Sequence, residues 1–184
     1  MTLKGKNEIK VKSTTNGREI ENIFSSKKSY ELVLKHSQKL KSFSSKEEAE
    51  EFFFSLKDNL LKKLENLCTD CSFFKMDYTL ESIKNIEKWY FELYEKNEFE
   101  ILGTSREEFE EILGIYWGEC AIKYNSSSIW IVEEDWLING KYSFCINIKG
   151  WMHITYKYFN DLYKYPDNKT HKCMYREFKK MVMD

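Results

Sequence analysis

Between Ala49 and Leu67, apolar side chains recur every three or four residues (Ala49, Phe52, Phe53, Leu56, Leu60, Leu64, Leu67) with Lys and Glu between them. That spacing lines one face of a helix. Ser45-Lys46-Glu47-Glu48 opens it as a capping box, the Ser45 hydroxyl taking the Glu48 N–H and the Glu48 carboxylate reaching back, so a helix is expected over 46–67. Leu80, Ile83, Ile86, Tyr90, Leu93 and Tyr94 predict a second helix over 79–97, with Asp77 or Thr79 as N-cap. A third, over 105–117, starts at a second capping box, Ser105-Arg106-Glu107-Glu108, and carries Phe109, Ile112, Leu113 and Tyr116 on its apolar face. Glu107, Glu108, Glu110 and Glu111 crowd its first two turns, where the helix dipole favours negative charge.

After Gly118 the period changes. Cys120–Tyr124, a turn at Asn125-Ser126-Ser127-Ser128 and Ile129–Val132 read as a β-hairpin. Asn139-Gly140 marks a further tight turn, and Tyr142, Phe144, Ile146 and Ile148 alternate with polar positions as in a half-buried strand. Antiparallel strands are therefore expected over 120–148, with another from Trp151 to Tyr158. Met174, Phe178, Met181 and Val182 give the tail helical spacing. At the other end, Tyr30–Leu34 suits helix or strand equally. Residues 1–28 are polar and lysine-rich, with an Ile9/Val11 alternation and an Asn16-Gly17 turn signal, and read as a small hairpin or a mobile extension. The sum is an α+β fold: N-terminal helices packed on a C-terminal antiparallel β-meander with a closing helix, residues 29–184 forming one domain.

Composition narrows the function classes. The 184 residues carry 29 basic and 30 acidic side chains, which removes bulk basicity as a reason to bind nucleic acid. No run approaches the ~20 apolar residues of a membrane span, and the N-terminus lacks the apolar stretch of a secretory signal. Five cysteines (68, 71, 120, 145, 173) without such a signal read as reduced thiols in a cytoplasmic protein. Charge is unevenly spread: residues 76–140 hold 5 basic against 15 acidic groups, a net of −10, while 1–40 and 141–184 each carry +5. The acidic stretch ends in Glu133-Glu134-Asp135-Trp136. Carboxylates beside an aromatic suit the steering and anchoring of a basic protein partner, with Glu107 and Glu111 of the third helix as helpers.

Catalytic signatures are absent from the chain: it contains no HExxH, GxSxG, Walker loop or GxGxxG, so no cofactor is expected. Cys68-Thr69-Asp70-Cys71 is a CxxC, but His171 and Cys173 have the wrong spacing to complete a zinc knuckle. It falls at the C-terminal end of a helix, where the dipole opposes a thiolate, so no metal is expected. His36, His153 and His171 are far apart, and a Cys120–His153 nucleophilic pair remains an enzyme alternative. Gly114 and Gly118 bracket Ile115-Tyr116-Trp117, which points to a close helix approach or a C-cap turn. Glu119 then falls at a helix–strand junction, either accepting backbone, Tyr or Trp hydrogen bonds or facing a pocket with Tyr116, Trp117 and Trp130.

Asp77-Tyr78-Thr79-Leu80-Glu81-Ser82-Ile83 leading to Ile86-Glu87, followed by Gly114-Ile115-Tyr116-Trp117-Gly118-Glu119-Cys120, resembles a widespread group of uncharacterised bacterial proteins. In that group a D-[YF]-[ST]-x-E-S-[LI] helix start precedes a G-x-Y-x-G-E junction and a Trp-bearing hairpin, the place held here by Trp130. The resemblance covers roughly residues 77–132 and leaves 1–76 unexplained. It implies a small cytosolic accessory protein, some members resembling immunity proteins of toxin systems. The expected function is a non-enzymatic binding protein of that type. A Cys/His/Glu enzyme, a structural or regulatory domain, and nucleic-acid binding by the basic termini are the alternatives.

Overall fold

The computed structural model describes residues 9–15, 18–24, 26–69, 74–150, 152–164 and 172–183. The chain begins with strands β1 (Ile9–Thr15) and β2 (Arg18–Phe24), then α1 (Lys27–Lys39), a short β3 (Lys41–Ser42) and α2 (Lys46–Cys68). Helix α3 (Leu80–Lys96) leads through a 3-10 turn (Phe99–Leu102) into α4 (Arg106–Tyr124). Strands β4 (Ile129–Glu134), β5 (Lys141–Ile148) and β6 (Met152–Thr155) follow, then α5 (Tyr158–Leu162), α6 (Cys173–Phe178) and a π-helical turn (Lys179–Met183). This is an α+β protein with antiparallel pairing, built as two compact units.

The first unit comprises Met1–Phe52 and Val132–Ser143. β1 and β2 pair from Ile9 opposite Phe24 to Thr15 opposite Arg18, so the Ile9/Val11 alternation belongs to a hairpin, while Asn16-Gly17 lies outside the described residues. Ser26 and Ser29 cap α1 reciprocally, each backbone N–H donating to the other's hydroxyl at 3.2 Å. That cap settles the ambiguous Tyr30–Leu34 stretch as helix. β3 pairs with the start of β5, Lys41 opposite Tyr142 and Ser42 opposite Lys141, and the Lys41 ammonium stands 3.5 Å from the centre of the Phe52 ring.

The second unit comprises Phe53–Ile131 and Phe144–Asp184. Its centre is α4, which touches α3, α5, α6 and the π-helical turn. Phe109, Ile112, Leu113, Ile115, Tyr116, Trp117, Cys120 and Ala121 are each at most 2% exposed, so the helix is buried around its whole circumference. Glycine makes that depth of burial feasible. A Cβ on Gly114 would lie 1.8 Å from the Tyr156 carbonyl oxygen, and one on Gly118 would lie 2.2 Å from the Trp130 ring. The end of β5 pairs with β6, Cys145 opposite Thr155 through Ile148 opposite Met152.

Several boundaries differ from the sequence expectation. Residues 120–124 are not a strand: α4 continues through Tyr124, and Asn125–Ser128 connects helix to strand rather than strand to strand. Glu119 accordingly lies within α4 and not at a junction. Gly114 and Gly118 serve close approach, not termination. Thr79, not Asp77, is the N-cap of α3, its hydroxyl accepting from the Ser82 N–H at 3.1 Å. At α2 the Ser45 hydroxyl does take the Glu48 N–H, but the Glu48 carboxylate accepts from the Ser44 N–H at 2.8 Å rather than from Ser45. The expected 151–158 strand is β6, which ends at Thr155; Trp151 lies outside the described residues.

Candidate functional site

Of the four residues expected to share a pocket, Tyr116 and Trp117 point away from the other two. Tyr116 turns its hydroxyl toward α3, accepting from the Tyr78 N–H at 3.0 Å and meeting the Ser82 hydroxyl at 2.6 Å. Trp117 donates its indole N–H to the Met174 carbonyl at 3.2 Å. Glu119 and Trp130 do meet: the Trp130 indole donates to Glu119 Oε1 at 2.8 Å, and Lys57 Nζ reaches the same oxygen at 3.4 Å. Trp130 stacks on Phe144 with ring centres 4.6 Å apart, above the space Gly118 leaves open. Glu119 thus orients a core tryptophan. Glu119→Ala is expected to lower stability by ~1–2 kcal/mol, because the buried indole N–H loses a charged acceptor. Glu119→Gln, which keeps an oxygen there, should lose less; thermal melts in which the two variants match wild type would overturn this role.

The acidic run at the end of β4 is engaged with its own connection. Glu134 Oε1 accepts from the Gly140 N–H at 2.8 Å. Asp135 Oδ1 accepts from the N–H groups of Leu137 (3.0 Å) and Ile138 (2.8 Å), and its Oδ2 accepts from the Ser37 hydroxyl at 2.9 Å. Glu133 is exposed and Trp136 half-buried. Glu133–Trp136 belong to the first unit, Glu107 and Glu111 to the second. Glu111 pairs with Lys157 at 2.8 Å, whereas Glu107 is exposed.

Two other carboxylates of the acidic stretch are interior. Glu87 on α3, 2% exposed, accepts from the Tyr163 hydroxyl at 2.6 Å and the Met174 N–H at 2.8 Å. α6 has no side-chain cap of its own, so Glu87 supplies one from 87 residues away. Glu110, also 2% exposed, accepts from the Tyr90 hydroxyl at 2.7 Å and from Arg106 Nε at 2.8 Å. Arg106 also donates to the Tyr163 carbonyl. Burial pushes both carboxyls above the ordinary Glu range, against the lowering effect of these donors.

On the outside, at the head of α4, is a cleft of about 540 Å³ lined by Asn97, Phe99, Glu100, Gly103–Glu108. Two left-handed residues, Asn97 (φ 55°) and Gly103 (φ 64°), bracket the 3-10 turn that forms one wall. Phe99 faces inward, with its ring 5.8 Å from that of Phe109, while Ile101 is 78% exposed. Of the cations at the edge, Lys63 is held by Glu108 at 2.5 Å and Arg106 by Glu110. Burial would raise the Glu108 carboxyl, but the hydrogen bonds from Lys63 and Thr104 hold it below its ordinary value. Glu98, Glu100 and Glu107 form no ion pair among the described residues. Of these residues the sequence singles out Glu107 as a candidate for partner binding, but not Glu98, Glu100 or Ile101. The Asn97…Gly103 bracket was the available signal for a turn that projects one side chain outward.

Nucleophile chemistry finds no support at Cys120, which is fully buried and whose thiol burial pushes far above its ordinary range. His153 lies on β6. Cys68 ends α2, half-buried, while Cys71 and His171 lie outside the described residues. Among the described residues no group of three His, Cys, Asp or Glu is placed to hold a metal ion, and no helix is long and apolar enough to cross a membrane.

The family model for "Uncharacterised protein YwmA" matches residues 42–182. The chain belongs to the YwmA family. A curated relative, "Uncharacterized protein YwmA" of Bacillus subtilis (strain 168), is 26% identical over 120 residues, covering 63% of this chain and 74% of the relative. No solved structure matches. The YwmA match starts within β3, so β1, β2 and α1 lie outside it, whereas the cleft and both buried carboxylates lie inside.

Proposed function

We propose that this chain is a non-enzymatic binding protein of the cytoplasm whose acidic face, at the 3-10 turn and the head of α4, receives a basic protein partner. An immunity-type neutraliser of a basic toxin is the concrete form of that reading. One observation carries it: an aliphatic side chain, Ile101, stands 78% exposed on a turn whose neighbours Glu98 and Glu100, and Glu107 across the cleft, have no cation paired to them among the described residues. Unpaired carboxylates steer a cationic surface to the site, and a protruding apolar residue at the centre anchors it. The thiol of Cys120, buried on α4, suits a reducing compartment. Glu134 and Asp135 contribute little in this reading, because their oxygens are taken by backbone N–H groups.

Affinity capture from the native cell, comparing wild type with Glu100→Lys/Glu107→Lys, tests it. The expected result is a basic partner, identified by mass spectrometry, that the charge-reversed protein does not retain. Its association rate with wild type should fall steeply with salt, since exposed charges are screened within ~10 Å at 0.1 M. An identical set of captured proteins for both forms would refute the assignment of this face.

A further inference from the structure

We propose that the acidic face docks the outward face of α1 from a second copy of this chain. The inference rests on the reading of that face as a site for a basic partner, and it names one. Lys28, Leu32, Lys35, His36 and Lys39 are all exposed, and at 100° per residue they fall on one side of α1. The only carboxylate of the helix, Glu31, is paired with Lys27 at 3.6 Å. Lys28, Lys35 and Lys39 have no carboxylate partner among the described residues. In the middle of this basic stripe, Leu32 is 61% exposed.

The two surfaces match in kind and oppose in sign. Leu32 and Ile101 are the two most exposed large hydrophobic side chains among the described residues, at 61% and 78%. One stands among lysines, the other among glutamates. Stacking the aliphatic groups brings Lys28, Lys35 and Lys39 of one copy against Glu98, Glu100 and Glu107 of the next. Because the two patches differ, the contact is heterologous and head-to-tail, giving open chains or a closed ring rather than a self-complementary pair. α1 lies outside the stretch that the YwmA family model matches, so the docking element is an addition to the part shared with the family. Its effect is to cover the acidic face until a basic partner displaces it.

Sedimentation velocity on the full chain over a concentration series, at about 20 mM and about 300 mM salt, is the test. Wild type should associate at low salt and dissociate at high salt. Leu32→Glu/Lys35→Glu and Glu100→Lys/Ile101→Lys should each sediment as monomers, their folds checked by circular dichroism. An equimolar mixture of the two should form a 1:1 dimer and nothing larger, since one retains only a live acidic face and the other only a live α1. The wild-type salt series needs no variant and stands alone if either one fails to fold. A wild type that stays monomeric at low salt, variants that associate by themselves, or a mixture that stays monomeric would each overturn the inference. The α1 variant keeps its acidic face and should still capture the basic partner, whatever the sedimentation shows.

Discussion

Alanine at Gly114 is expected to lower the melting temperature by roughly 6 to 12 °C. In an exposed helix the same change would stabilise by ~1 kcal/mol, because glycine is the poorer helix former. Here the sign reverses. The added methyl would sit 1.8 Å from the carbonyl oxygen of Tyr156, a backbone atom that no rotamer change can move aside. Either α4 or the turn after β6 must shift, and overpacking of this kind costs ~3 kcal/mol or more, which gives the stated drop for a chain of this size. Gly103 provides the control. It has φ of 64° and nothing within 4 Å of an added Cβ, so Gly103→Ala should cost only the left-handed backbone penalty of ~1 kcal/mol. Differential scanning calorimetry of both variants decides the matter; Gly114→Ala melting with or above wild type would refute the close approach.

Removing the buried carboxyl at position 87 has a comparable expected effect. Glu87→Ala strands the Tyr163 hydroxyl and the Met174 N–H, two donors in an interior where each unmade bond costs ~1–3 kcal/mol. A loss of about 3 kcal/mol is expected, again roughly 6 to 12 °C in melting temperature. Glu87→Gln keeps an acceptor oxygen and should lose far less. The pH dependence separates the two contributions. Burial raises the folded-state carboxyl above its ordinary value, so its stabilising contribution is complete below the ordinary Glu range and is lost as pH climbs through the raised value. The amide does not titrate there. The cost of Glu87→Gln, measured by denaturant unfolding, should therefore be larger at pH 4 than at pH 8. A cost that is flat or grows with pH would contradict a raised carboxyl.

Much of the architecture was legible because most elements show one face to the core and one to water. α2 and α3 keep a lysine- and glutamate-rich outer face, so their apolar spacing gave bounds within a residue or so of those observed. α4 defeated the same reasoning for a physical cause. A helix buried on every side has no polar face to interrupt the apolar run, and Cys120–Tyr124 then resembles a strand. Its glycines suited a close approach or a C-cap turn equally, since a sequence does not show which neighbour an added Cβ would strike. The acidic stretch is less uniformly a surface than its charges suggest, for a related reason. A count of charges treats Glu87 and Glu110 as surface although both are 2% exposed, and treats Glu134 and Asp135 as open although backbone N–H groups hold them. Ile101, a single aliphatic residue in a short turn, carries no periodic signal at all.

The long-range cap on α6 bears on how the chain is made. Synthesis runs from the N-terminus, and domains tend to acquire structure in that order. Glu87 emerges early, yet the amide it caps, that of Met174, is 87 residues further on. Until those residues leave the ribosome, α3 carries a carboxyl group whose native donors do not yet exist, and a buried polar group left without hydrogen bonds is disfavoured. The hydrogen bonds of Glu87 are therefore complete only once Tyr163 and Met174 have both been made. A product truncated before Met174 lacks that donor to Glu87 and is expected to be less stable than the full chain.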